Sequence, residues 1–215
     1  MRIEGGIDMP PYFSIEVNFK KNILNKTFVK DIYKTIDKSG FKFKSGYWEG
    51  EDMSLEQIID WNQKLLEKKF QLGSKQHVKF DYKQVLLDTP IYQEMRAFWM
   101  YINKRINLSI IIPEDDVLTE EDSISFITNK MNPIIELSCN IWDSGMVSSI
   151  QTCLELDDAE NYKRLEKGEL PSINPFCIIE KEIYQKVKPK IKYSLNIKEI
   201  SANGVVLVDN SLLKK

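Results

Sequence analysis

Arg96-Ala97-Phe98-Trp99-Met100-Tyr101-Ile102 is followed by Asn103-Lys104-Arg105 and then by Ile106-Asn107-Leu108-Ser109-Ile110-Ile111-Ile112. This stretch decides whether the middle of the chain is helix or sheet. Read with the preceding Thr89-Pro90 it is a helix, since proline is tolerated in a first turn and Ile91, Met95, Phe98 and Ile102 recur at helical spacing. Read by itself it is a β-hairpin: the first arm is rich in aromatics, the connection is short and polar, and residues 107–112 are strongly strand-like. The hairpin is the preferred reading, with Pro113 stopping its second strand. The helix stays open as an alternative over residues 90–105.

The flanking segments repeat the sheet signal and add helices. From Tyr12 to Phe19, Phe13, Ile15, Val17 and Phe19 alternate with Ser14, Glu16 and Asn18, the pattern of a half-buried strand. Phe28, Val29, Ile32, Tyr33 and Ile36 predict a helix over residues 26–39 that lies back across that strand, with Gly40 at its left-handed C-cap. Residues 41–48 alternate again, with Phe41, Phe43 and Ser45 on one face. Ser54 and Gln57 form a capping box for a second helix, whose inner face carries Leu55, Ile58, Ile59, Asn62, Leu65, Leu66 and Phe70 and whose end is marked by Gly73. Residues 78–87 read as a strand with Val78, Phe80, Tyr82 and Leu86 on one face.

Downstream, Thr119 followed by Glu120, Glu121 and Asp122 has the form of an N-cap with acids in the first turn, predicting a helix over 119–132. Pro133 kinks or restarts it, and Ile134, Leu137, Ile141 and Trp142 carry the apolar face on to Gly145. A strand follows over 147–156, a short charged surface helix over 157–167 and a loop over 168–175. Asn203-Gly204, between 193–200 and 205–208, is a strong hairpin signal. The expected fold class is α+β: a mixed, mainly antiparallel sheet with helices packed on it, ending in a C-terminal β-hairpin. One domain over 1–215 is the simplest organisation, since no linker or repeat of fixed period interrupts the order. Two related halves near 1–113 and 114–215 are the other.

Composition narrows the function classes. Of 215 residues 42% are hydrophobic and 29% charged, a globular balance. The net charge of -2, from 32 acidic and 30 basic side chains, supplies no field to gather nucleic acid or an anionic membrane. No segment approaches the ~18 apolar residues of a membrane span, and the first residues, with Glu4 and Asp8, carry no apolar run. Cys139, Cys153 and Cys177 are odd in number, far apart and in apolar contexts, so they read as small buried thiols. The expected address is the cytoplasm, and the oligomeric state stays open.

Chemical motifs are absent where they would be specific. GxGxxG, GxxxxGK[ST], HExxH and CxxC do not occur, so no cofactor or metal is expected. The single histidine, His77, has no nucleophile beside it and reads as a surface or turn residue. Acids and aromatics supply the remaining candidates. Glu114, Asp115 and Asp116, with Glu120, Glu121 and Asp122, form the densest acidic run. It reads either as a solvated helix entry or as a contact for a basic partner, and lacks the calcium-loop spacing. Trp48 beside Glu49, Glu51 and Asp52 fits an aromatic anchor with an acidic rim.

An opening strand and helix, tryptophans in the body and a closing hairpin, Ile197-Lys198-Glu199-Ile200-Ser201-Ala202-Asn203-Gly204-Val205-Val206-Leu207-Val208, resemble the layout of immunity proteins of bacterial polymorphic toxin systems. That resemblance implies stoichiometric neutralisation of a cognate toxin by covering its active site, and it carries over no binding residue. The leading expectation is therefore a protein-binding module with a basic protein partner. A small enzyme using carboxylates in a cleft and a structural or regulatory subunit are the competing classes.

Overall fold

The computed structural model describes residues 10–71, 81–120 and 124–214. Its body is one nine-stranded sheet in the order β2-β3-β4-β5-β1-β7-β8-β10-β9, antiparallel at every pairing. The strands are β1 (Tyr12–Phe19), β2 (Lys42–Tyr47), β3 (Gln84–Asp88), β4 (Arg96–Ile102), β5 (Arg105–Pro113), β7 (Val147–Cys153), β8 (Phe176–Glu180), β9 (Asn196–Ile200) and β10 (Gly204–Val208). A short parallel pair, β6 (Phe126–Ile127) with β11 (Leu213–Lys214), lies apart from it. Strands from 1–113 and from 114–215 thus enter the same sheet. The class is α+β.

Three helices cover one face: α1 (Phe28–Lys38), α2 (Leu55–Glu67) and α3 (Thr128–Trp142). The alternation of β1 aims Phe13, Ile15, Val17 and Phe19 at them, all fully buried. Trp99 of β4 is the hub of this inner core, its ring meeting Phe19, Phe28 and Tyr33 with centroids 5.7, 5.4 and 6.1 Å away. Its indole N–H donates to Tyr33 Oη at 3.0 Å, so the one polar atom of the largest core side chain is satisfied. Two further helices, α4 (Tyr162–Leu165) and α5 (Lys181–Val187), lie on the opposite face over β8 and β10, where they enclose a second cluster with Cys177, Ile179, Val205 and Leu207.

The local signals explain most elements. The Ser54 capping box is present, with Gln57 N donating to Ser54 Oγ at 3.3 Å and Ser54 N to Gln57 Oε1 at 2.8 Å. Further along α2, buried Asn62 imitates a strand edge: its Nδ2 donates to Lys83 O and its Oδ1 accepts from Lys83 N, both at 2.8 Å. The 96–112 stretch is the hairpin, closed by Asn103 and Lys104, both at positive φ (54° and 62°), with Arg105 already in the second strand opposite Ile102. Such a left-handed pair matches the twist of the arms it joins.

Other expectations are corrected. No helix begins at Thr119. Thr119 N donates to Ser125 O and Ile127 N to Val117 O, each at 2.8 Å, and α3 starts only at Thr128. Because α3 starts so late, Pro133 stands early in it, where its missing N–H forfeits only the bond to the Asn129 carbonyl. The strand expected over 78–87 is described only as Gln84–Asp88, and it buries Val85 and Leu87 in place of Leu86. Val78, Phe80, Gly73 and His77 lie outside the described residues. In β2 a bulge between Phe43 and Ser45 breaks the expected Phe41, Phe43, Ser45 face. The closing hairpin turns through Ala202 and Asn203, both at positive φ, while Gly204 is already paired with Ile200. Gly204 is needed for another reason: a Cβ there would stand 2.3 Å from Trp142 Nε1. Neither β8 nor α5 was marked by periodicity, since the Phe-Cys-Ile-Ile run is buried on both faces of the sheet.

Replacing Tyr33 by Phe removes the acceptor of a buried indole N–H, together with a hydrogen-bond partner of the Asn62 side chain. Tyr33→Phe is expected to cost about 1–3 kcal/mol. A urea titration should show a lowered midpoint with an unchanged m value; an unchanged midpoint refutes the role given to this bond.

Candidate functional site

The side of the sheet away from α1, α2 and α3 divides into two parts. Pairing register sets one row of side chains across it: Phe98 of β4, Ser109 of β5, Glu16 of β1, Gln151 of β7, Cys177 of β8 and Leu207 of β10. From Gln151 onwards the row is covered by α4, α5 and the segment leading into them. Gln151 makes that boundary. Its Nε2 donates to Glu160 O at 2.9 Å, and its Oε1 accepts from Glu160 N at 3.0 Å and Ser172 N at 2.9 Å. The amide thereby pins segment 157–161 as a wall.

On the other side of that wall three cavities of about 360, 470 and 380 Å³ adjoin, sharing Met100, Ile102 and Asn103 at one junction and Asp81, Tyr82, Gln84 and Phe98 at the next. Together they form a groove over the outer face of β1, β5, β4 and β3. The second wall comes from Tyr47, Trp48 and Glu49 with residues 81–83.

The first cavity centres on Glu16. Ser109 Oγ donates to its Oε1 at 2.7 Å. Burial raises the carboxyl above its ordinary value of 4.5, and hydrogen bonds from Ser109 and Ser14 oppose the rise. Arg105, at the cavity edge, donates from Nη1 to Phe19 O at 3.1 Å and lays its guanidinium 3.9 Å from the centroid of the Tyr162 ring. Tyr162 in turn donates from Oη to Glu180 Oε2 at 2.7 Å.

The far end is built around Arg96. Its guanidinium is stacked between the rings of Tyr12 and Tyr47, 4.7 and 4.5 Å from their centroids. Arg96 Nε lies 2.8 Å from Glu94 Oε1, close enough for an ion pair though off the line of a hydrogen bond. Lys83, almost fully buried, pairs with Glu49 at 3.3 Å and stands over the ring of Trp61. Trp48 itself is 66% exposed and holds a positive φ of 54°, a conformation that a bulky residue adopts only when its surroundings impose it. The turn around it is tight: a Cβ at Gly46 would fall 1.8 Å from the Gly50 carbonyl oxygen, so only glycine fits at that position.

The expected site residues are distributed as follows. Trp48, Glu49, Glu51 and Asp52 are all exposed in the turn after β2, at one end of the groove. In the first half of the acidic run two of three carboxylates are internal wiring: Glu114 Oε1 accepts from Glu155 N at 2.8 Å and buried Asp116 accepts from Gln93 N at 2.7 Å, while Asp115 is exposed. Glu120 is exposed but belongs to no helix, and Glu121 and Asp122 lie outside the described residues. Glu16 and Arg96 were missed. Their signal is a charged residue on the outer side of a central strand, which becomes meaningful only once the neighbouring strands are known.

All three cysteines are free thiols, and burial raises each above its ordinary value of 9.0. Among the described residues no group of His, Cys, Asp and Glu is arranged to hold a metal ion, and no helix is long and apolar enough to cross a membrane. Comparison with protein-family models, curated protein sequences and solved structures returns no match.

Glu16 yields a test of its own. A carboxyl whose folded-state value is raised binds more protons folded than unfolded, so it stabilises the fold at low pH and loses that contribution as pH climbs above about 4.5. Glu16→Gln, which preserves an acceptor for Ser109, should melt close to the wild type at pH 4 and increasingly above it towards pH 8. A melting difference that does not change with pH contradicts this account of Glu16.

Proposed function

We propose that the chain is a protein-binding module that holds a basic protein partner against the outer-face groove, with Trp48 as its anchor. The observation that carries this is Trp48: a large aromatic two-thirds exposed, on a positive-φ backbone in the tight turn after Gly46, at the rim of a groove open among the described residues. Strained backbone positions cluster at functional sites, and tryptophan is among the residue types enriched at interface hot spots. Glu51, Asp52 and Asp115 are exposed acids, suited to steering a basic surface towards the groove. In its finer form, the partner is a toxin whose active site is covered on binding, so that neutralisation is steric and electrostatic and consumes one immunity chain per toxin.

A second reading, an enzyme using carboxylates in a cleft, draws on Glu16 alone: a carboxyl held above its ordinary value in a cavity is suited to general acid chemistry. A thermal-shift screen of small molecules that finds ligands stabilising the wild type but not Glu16→Gln favours it.

The binding reading is tested with the tagged full chain as bait and the recovered partner identified by mass spectrometry, then titrated by calorimetry. Trp48→Ala should weaken the complex by roughly thirtyfold or more, the scale of a hot-spot residue. Asp115→Lys should slow association by a few fold and flatten its dependence on salt. Affinity unchanged by Trp48→Ala, or no stoichiometric partner, refutes the assignment.

A further inference from the structure

We propose that the cavity over Glu16 is a socket for a cationic side-chain head, a guanidinium or ammonium group presented by the partner protein. The proposal deepens the binding reading and rests on it for the source of the cation.

Four observations converge. The carboxyl of Glu16 stands at the middle of the sheet's outer face, anchored by Ser109 at 2.7 Å, and no ion pair reaches it among the described residues. A partly buried carboxylate without a cation is costly, and a charge delivered by a ligand would repay that cost. Neither cation lining the cavity pairs with it: the Arg105 guanidinium is drawn to the Phe19 carbonyl, to Ser148 Oγ at 3.4 Å and to the face of Tyr162, and no ion pair joins Lys163 to Glu16 among the described residues.

The charged groups lining the cavity with Glu16 are Asp157, Asp158, Glu160, Arg105 and Lys163, so acids outnumber bases by four to two. Of these acids Asp157 and Asp158 are exposed on the wall that Gln151 holds, where they would meet an incoming cation before it reaches Glu16. Finally, the floor beside Glu16 carries Asn18 and Asn107, whose amide oxygens suit the remaining donors of a guanidinium, and Met100 supplies an apolar flank for the alkyl stem that carries it.

The test uses the isotope-labelled full chain and two small probes, Nα-acetyl-L-arginine amide and its neutral counterpart Nα-acetyl-L-citrulline amide, followed by NMR. The arginine probe should shift the backbone amides of Glu16, Ser109 and Gln151 saturably in the millimolar range. The citrulline probe should bind at least tenfold more weakly. Glu16→Gln should erase the difference, and its melting temperature, at or above that of the wild type, shows that the loss is not unfolding. Equal binding of the two probes, or arginine binding that survives Glu16→Gln, overturns the socket.

The two levels are separable. If the partner binds Glu16→Gln normally and fails to bind Trp48→Ala, the binding module stands and the socket falls. A saturable, Glu16-dependent arginine site in a chain that recovers no protein partner upholds the cation chemistry and sinks the partner reading.

Discussion

Every outer-face position in this molecule depends on the register of β1. The strand lies between β5 and β7, in continuous register with β5 from Tyr12 to Asn18 and with β7 from Ser14 to Asn18 before a bulge at Phe19, and its burial alternates without a break from Tyr12 to Phe19. A slip of one residue would turn Phe13, Ile15, Val17 and Phe19 out of the inner core and bring Ser14, Glu16 and Asn18 in. Each apolar side chain contributes roughly 1.5–3 kcal/mol by its burial. The slipped pairing is therefore out of reach, and the carboxyl of Glu16 is held in place by the hydrophobic effect acting on the opposite side of the same strand.

The outer face is what remains after that constraint is met, and the chain treats its two parts differently. Over β8 and β10 the residues are Cys177, Ile179, Val205 and Leu207, and two short helices shield them. Over β1, β5 and β4 they are Ser14, Glu16, Asn18, Asn107, Ser109, Phe98 and Met100, which tolerate water and are left as a groove. Gln151 stands between the two regimes. It is fully buried, and its amide bonds only to backbone: twice to Glu160 in the wall segment and once to Ser172 N. The groove thus owes its steep side to one glutamine acting as a surrogate peptide group.

How far such features can be read from sequence varies with the range of the interaction that sets them. β1, the Ser54 helix start and the two hairpins were legible, since each is announced by alternation, a cap or a turn within a few residues. Thr119 shows the limit of local reading: hydroxyl and acids have the form of a cap, but pairing of 117–119 with 125–127 holds the backbone extended. The turn carrying Trp48 was recognised as a candidate anchor from composition. Its exposure on a left-handed backbone, in a turn where Gly46 passes close under Gly50, is not revealed by composition. Glu16 was visible only as one of three polar residues on a strand. Its place opposite Ser109 and Gln151, from β5 and β7, belongs to strand order.

That same strand order bears on how the chain reaches its native state. The partners of β1 lie far downstream: Glu16 pairs with Ser109 on one side and with Gln151 on the other. Loop closure over such distances is slow compared with forming the adjacent hairpin of β4 and β5. During synthesis the β1 segment leaves the ribosome with four large apolar side chains and both backbone edges unpaired. One edge waits for residues 105–113 and the other for residues 147–153. The centre of the finished sheet is thus the part most exposed to mispairing in the nascent chain.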